Sequence, residues 1–250
     1  MKRGALLLFK FLPLLILAVL WEIVCRAGLV SSLVLPPLSA VIEAGIDLMT
    51  SGDLWTNGEV SLYRVAAGLL LAITLGGALG FAMAWWRPLN SLISPFVEIL
   101  YPMPKSALIP VTALWLGFGD GSKILLIFLG CMLPVTLGAF NGARGTDEAL
   151  LWSARSMGAG PLRVLRDVVF PSALPELMNG IRTAIALSLI LLVSSELIVA
   201  RQGFGYLIGT LGSDGAYDAM FAVVLIVASL GFIADRLHLA ASGWVLRWRM

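Results

Sequence analysis

"WSARSMGAGPLRVLRDVVFPSALP", Trp152–Pro175, is a basic interlude between long apolar runs, with three arginines, one aspartate, two glycines and three prolines. Its local pattern predicts two short helices joined by a hinge. Leu150, Ala154 and Met157 fall at i, i+4 and i+7 and make an apolar face on the first helix. Gly158 stands where a helix ends in a left-handed cap, and Gly160–Pro161 suits a fresh start because proline is favoured at the first helical position. Leu162, Leu165 and Val169 form the stripe of the second helix, which Pro171 stops, with Arg163, Arg166 and Asp167 on its other faces. Trp152, Arg155 and Ser156 share a face away from the first apolar stripe, which reads either as a binding surface or as an interfacial helix anchored by its tryptophan.

The surroundings are those of a membrane protein. The chain has 250 residues, 59% hydrophobic and only 13% charged, with a mean hydropathy of +0.95, too little polar surface to cover a soluble core. Six stretches are predicted to cross a bilayer, at about 5–26, 61–86, 95–117, 122–141, 177–200 and 217–235. Together they make one all-α, polytopic domain over residues 1–250, with a connecting loop at 142–176. The first span stays apolar too long for a signal peptide and lacks a clear cleavage pattern. Gly76, Gly77 and Gly80 in the second favour close helix approach. Pro102, Pro104 and Pro110 should break or kink the third, which membrane depth tolerates only beside protein or a wet cavity. A net charge of +2 without a basic aromatic patch argues against nucleic-acid binding, and Cys25 and Cys131 read as buried hydrophobes rather than as a disulfide or metal site.

Basic residues set the orientation. Lys2, Arg3, Lys10, Arg87, Arg144, Arg155, Arg163, Arg166, Arg236, Arg247 and Arg249 fall on one side, against Arg26, Arg64, Lys123 and Arg201 on the other. The bias predicts that both termini and the 142–176 loop face the cytoplasm.

The spacing Ala154-x3-Gly158-x9-Val168-x-Phe170-Pro171 resembles the signature loop of the membrane-spanning subunits of bacterial ABC importers, in which Glu-Ala-Ala precedes the glycine and Ile-x-Leu-Pro follows it. "LPPLSAVIEA" (35–44), "SLYRVAAGLLLA" (61–72), "LIPVTALWLGFGDGSKILLIFLG" (108–130) and "ELIVARQGFGYLI" (196–208) resemble the branch that serves nitrate, sulfonate and taurine importers, so the likeness covers about 34–248. It implies a type I importer (MetI-like) fold whose cytoplasmic coupling helices carry Trp152, Ser153, Ala154, Arg155, Ser156, Gly158, Val168, Phe170 and Pro171. These helices would dock into a groove on a separate ATP-binding subunit. The implied assembly is a homodimer in lipid, with two ATP-binding subunits that hold ATP and Mg²⁺ and a periplasmic or lipid-anchored binding protein. This chain then needs no cofactor of its own. It departs from the signature at Trp152, where the glutamate belongs, and at Ser153, where the first alanine belongs; Asp147 or Glu148 could supply the charge from another position.

The resemblance implies a small anionic substrate: a sulfonate, taurine, nitrate or an aromatic carboxylate. A neutral or heterocyclic nutrient such as a pyrimidine vitamin precursor is the alternative. "GFGDGSK" (117–123) lacks the spacing of a P-loop. An intramembrane enzyme would want a Ser/His pair or paired aspartates, and His238 is the sole histidine. A passive channel would leave the loop unexplained. Ionisable groups inside spans are functional candidates because lipid makes them costly. Glu98, Tyr101, Lys105 and Glu196 are the predicted pathway residues, while Arg182 is expected to snorkel from near a span end. Related sulfonate-type subunits often show Arg-Pro-x-Pro where this chain has Tyr101-Pro102-Met103-Pro104, and Lys105 follows at once. It could attract an anionic substrate or pair with Glu98 or Glu196.

Overall fold

The computed structural model describes residues 2–249, with side chains described over 12–248, and among these every regular element is helical. The side chains of Lys2, Arg3, Lys10 and Arg249, which entered the orientation count, lie outside that set. Helix α1 is Lys2–Arg26, α2 Leu38–Ser51 and α3 Asp53–Leu71; α3 continues through a π-turn at Ala72–Gly76 into α4, Gly77–Trp85. Helix α5 is Arg87–Leu100 and α6 Ile109–Leu116, followed by α7, Asp120–Arg144, and α8, Glu148–Ser156. Then α9, Pro161–Val164, runs through a π-turn at Leu165–Val169 into α10, Phe170–Val199, followed by α11, Phe204–Ser213, and α12, Tyr217–Val245.

Among the described residues four rods, Asp53–Trp85, Asp120–Arg144, Pro161–Val199 and Tyr217–Val245, are long and apolar enough to cross a membrane. Helix α7 is the axis. Its Leu126, Ile127, Cys131, Val135 and Ala139 pack against Ile181, Ala184, Leu191 and Leu192 of α10 in the largest apolar cluster. Two glycines let these backbones meet: a Cβ on Gly138 would sit 2.6 Å from the Glu176 carbonyl oxygen, and one on Gly180 2.5 Å from that of Pro134. Gly76 and Gly80 make the same kind of approach to Met132 and Thr136, while Gly77 faces open space. A second cluster joins Val41 and Leu48 of α2, Phe204 and Leu207 of α11, and Ala222 and Val223 of α12. Leu14, Leu17, Phe232, Ile233 and Leu237 point outward, as a chain solvated by lipid allows.

Several boundaries differ from the sequence reading. The 95–117 stretch is not one rod: α5 ends at Leu100, and the chain resumes through a 3₁₀ turn at Lys105–Leu108. Pro102 and Pro104 fall in that break, whereas Pro110 sits in the first turn of α6, where its missing N–H costs nothing. Helices α2 and α11 were not predicted. The second span starts earlier than 61, and the last runs past 235 to Val245, so His238 lies within α12. Pro171 does not stop its helix. Its nitrogen has no hydrogen for the Asp167 carbonyl and its ring crowds it; the π-turn at Leu165–Val169 widens the coil just there and lets the rod continue.

Candidate functional site

At the Arg144 end of α7 the chain turns into α8. Asp147 caps this helix, its carboxylate accepting from the Ala149 N–H at 2.8 Å, and so is committed locally. Gly158, at φ +81°, closes the other end: its N–H donates to the Arg155 carbonyl at 2.9 Å, and the Ala159 N–H to that of Ala154 at 3.0 Å. This is the paired left-handed termination that only glycine adopts without strain. A nine-residue helix is thereby fixed at both ends.

The inward faces differ from those the periodicity predicted. Ala154 is buried, but its companions are Leu151, Val164, Val168, Val169 and Ala173, with Ala143 of α7. Leu150, Met157 and Leu162 stay out of this core, at 51%, 79% and 78% exposure, because the helix ends before Met157 and turns its 151/154 edge inward. With Trp152, 64% exposed, they give this end of the molecule a run of large unburied apolar side chains. Ser153, Arg155 and Ser156 are also exposed, and the Ser156 hydroxyl donates to the Trp152 carbonyl. Phe170 stacks on Phe81 of α4 at 5.3 Å between centroids, and Pro171 follows it in the first turn of α10. Ala154, Val168, Phe170 and Pro171 therefore tie the turn to the bundle, while Trp152, Ser153 and Ser156 face out and Arg155 turns toward the α4–α5 turn.

At the opposite end of α7 lies a buried ionic clasp. Glu196 is completely buried near the end of α10 and accepts from Arg64 Nη1 at 2.7 Å, from the Ser61 hydroxyl at 2.8 Å and from the Gly205 N–H at 3.0 Å. Arg64 also donates to Asp120 at 2.6 Å and to the Gln202 carbonyl at 2.8 Å. Lys123 is buried beside them and donates to the carbonyls of Phe118 and Val199. Gly203, at φ +123°, passes so close that a Cβ would overlap the Glu196 carboxylate. Helices α3, α7, α10 and α11 are thus joined by charge, with no buried side-chain polar atom left unpartnered among the described residues. The sequence reading counted Arg64 and Lys123 only as cations that set the orientation, and gave no site role to Ser61 or Asp120. Arg64 lies eleven residues into α3, one turn from Ser61, and its position inside an apolar run was the available signal.

The break between α5 and α6 holds the other predicted residues. The Lys105 ammonium donates to the carbonyls of Leu100, Tyr101 and Met103 at 2.6, 2.9 and 2.8 Å, using all three of its hydrogens. It forms no ion pair with Glu98 or Glu196; Glu98 and Tyr101 are exposed on and just after α5. Arg182 does not simply snorkel, because it joins Asp235 of α12 at 2.6 Å.

Residues 68–245 match the family described as "Binding-protein-dependent transport system inner membrane component". The taurine transport system permease protein TauC of Escherichia coli K12 is 32% identical over 89% of this chain and 82% of its own length. The putative aliphatic sulfonates transport permease protein SsuC of Bacillus subtilis is 33% identical over 99% and 90%, and its Escherichia coli namesake is 33% identical over 95% and 90%. Among solved structures, a chain of the MetNI methionine ABC transporter in inward-facing conformations superposes with a TM-score of 0.60 at 20% identity, covering 80% of this chain and 96% of that one. A chain of an amino acid ABC transporter crystallised with histidines gives 0.62 at 14% identity, covering 81% and 96%.

Proposed function

From a chain that belongs to the family of inner membrane components of binding-protein-dependent transport systems, and is a non-catalytic permease subunit of an ABC importer, we propose the following division of labour. Such permeases dimerise and work with ATP-binding and substrate-binding partners. Here the finer assembly is two copies of this chain, two ATP-binding subunits that carry ATP and Mg²⁺, and a periplasmic or lipid-anchored binding protein. Residues 1–250 act as one permease domain.

The α8–α10 turn is the coupling element, and the observation that carries this reading is the exposed apolar run of Leu150 and Trp152 on a helix capped at both ends, continued by Met157 at its C-terminal cap and Leu162 on α9. A helix-in-groove contact needs such anchors on a rigid support. Trp152 replaces the signature carboxylate with aromatic packing. Motion of a docked subunit reaches the membrane through Ala154, Val164, Val169 and Ala173, which pack α8 and α9 onto the foot of α10. Replacing Trp152 with Ala removes an anchor worth about 2 kcal/mol, roughly thirty-fold in docking. Substrate-stimulated ATP hydrolysis by the assembled transporter should fall accordingly while insertion and dimerisation persist. Unchanged coupling would return α8 to the role of an interfacial helix.

The coupling turn and both termini lie in the cytoplasm, a reading supported by the excess of arginine and lysine on that side. In a Cys-free background, single cysteines at Ser51 and Ser213 should label from outside intact cells, and one at Ser156 only after permeabilisation. Outside labelling of Ser156 overturns the orientation.

The substrate is a small organic anion of the sulfonate or taurine kind, supported by the named relatives. Lys105 is a brace for the α5–α6 break rather than an electrostatic lure, because its three hydrogens already meet carbonyls.

A further inference from the structure

A second feature of the Arg144 end lies beside the coupling turn without sharing its exposed anchors. A cleft of about 680 Å³ opens between the α4–α5 turn, the end of α7 and the inner edge of α8. Arg87, Arg144 and Arg155 line it, one from each of these elements, with the amide of Asn90 and the hydroxyl of Ser91 between them. Glu148 is the single carboxylate on its wall, and none of the three arginines forms an ion pair among the described residues. The positive-inside bias accounts for basic residues on this side. It does not account for three from distant parts of the chain converging on one hollow.

The rest of the lining narrows the ligand. Phe81, Leu151 and Leu165, each partly exposed, give the cleft an apolar wall, and Trp85, half-exposed at the membrane-end turn, lines it with them. Tryptophan at a span end marks the headgroup level of a bilayer. A basic rim over an apolar wall at that depth fits an amphiphile with a phosphate near its glycerol and a hydrocarbon chain below. A soluble phosphate would use the arginines and leave the apolar wall unexplained. Nor is the cleft the docking face already assigned: Leu150, Trp152, Met157 and Leu162 do not line it.

We propose that this cleft binds the phosphodiester headgroup of an anionic membrane phospholipid, held by Arg87, Arg144 and Arg155. The lipid bridges α8 to the α4–α5 turn, which no ion pair or side-chain hydrogen bond does among the described residues. The binding claim stands on the geometry alone; an effect on coupling would rest additionally on the proposed role of α8.

The test uses the assembled transporter purified from phosphatidylcholine vesicles containing about one-fifth phosphatidylglycerol, with retained lipid counted by native mass spectrometry. The wild type should keep phosphatidylglycerol in preference to phosphatidylcholine. Arg87→Gln or Arg144→Gln should each lower that retention about five-fold, and the double variant about thirty-fold, at roughly 1 kcal/mol per arginine near an anionic surface. Arg87→Lys should keep most of it, and Arg247→Gln, an exposed cation outside the cleft, all of it. Equal loss in Arg247→Gln, or no loss in the double variant, overturns the proposal. Two further results reassign the cleft and also overturn it: full competition by inorganic phosphate points to a soluble anion, and release of the ATP-binding subunit with lipid retention intact points to a protein carboxylate. Because retention is read without ATP or substrate, its failure is distinguishable from a failure of coupling.

Discussion

The two ends of α7 are finished in opposite ways. Around Asp120, the chain closes on itself: Arg64, Glu196, Ser61 and Lys123 satisfy one another and the adjacent backbone. Around Arg144, it stops short of closing, and the turn from α8 into α9 presents Trp152, Met157 and Leu162 to whatever lies beyond. The first end is built from buried charge, which is tolerable only when every partner is present. The second is built from exposed apolar surface, which gains its free energy only when something covers it. One end is complete in the single chain, and the other, in the proposed coupling role, is completed by a partner. On that proposal the subunit is held together at one end and moved from the other, and needs both.

The largest effect should come from breaking the clasp. Glu196→Ala leaves the Arg64 guanidinium buried with one partner fewer, a loss of about 3–5 kcal/mol. The isolated subunit should melt well below the wild type in detergent or fail to accumulate. Pairing Glu196→Gln with Arg64→Met, which removes both charges, should recover much of the loss. An unchanged melting temperature in Glu196→Ala would erase the contrast between the two ends.

A smaller effect is expected at the α5–α6 break. Lys105→Met leaves the carbonyls of Leu100, Tyr101 and Met103 without their donor, a cost of about 1–3 kcal/mol. Stability and uptake should fall together, and Lys105→Arg should restore part of both. Loss of uptake with an unchanged melting temperature would instead put Lys105 in contact with substrate.

The smallest effect on stability belongs to Trp152→Ala, whose side chain is exposed and which should shift the isolated subunit by no more than about 0.5 kcal/mol. The variant expected to weaken coupling in the assembled transporter should therefore be almost silent in the melting experiment. A large destabilisation would show that Trp152 supports the fold of α8 and not a partner's groove.

The C-terminal cap of α8 was legible because capping is local, Gly158 needing a positive φ whatever surrounds it, whereas the N-terminal cap by Asp147 went unread. The faces of α8 and α9 were not legible. Leu150 and Leu151 are both apolar, and which one turns inward depends on where Ala143 and Ala173 stand, a matter of packing between distant segments. The third span was legible as a break, since Pro102 and Pro104 forbid a continuous hydrogen-bond ladder, but the role of Lys105 was not. An ammonium seeking a carboxylate and one capping three carbonyls look identical in sequence.

What the sequence by itself determined was the medium, the helical class and the family: apolar runs of bilayer length and a glycine at a fixed interval before a proline-bearing helix are properties of the linear chain. Only the tertiary structure decided that Arg64 and Glu196, 132 residues apart, are each other's partners, and that Arg87, Arg144 and Arg155 face a common cleft. Side-chain ion pairing and clefts depend on distance in space. That distance is set by how closely glycines such as Gly138 and Gly180 let the rods approach, and no local rule of sequence supplies it.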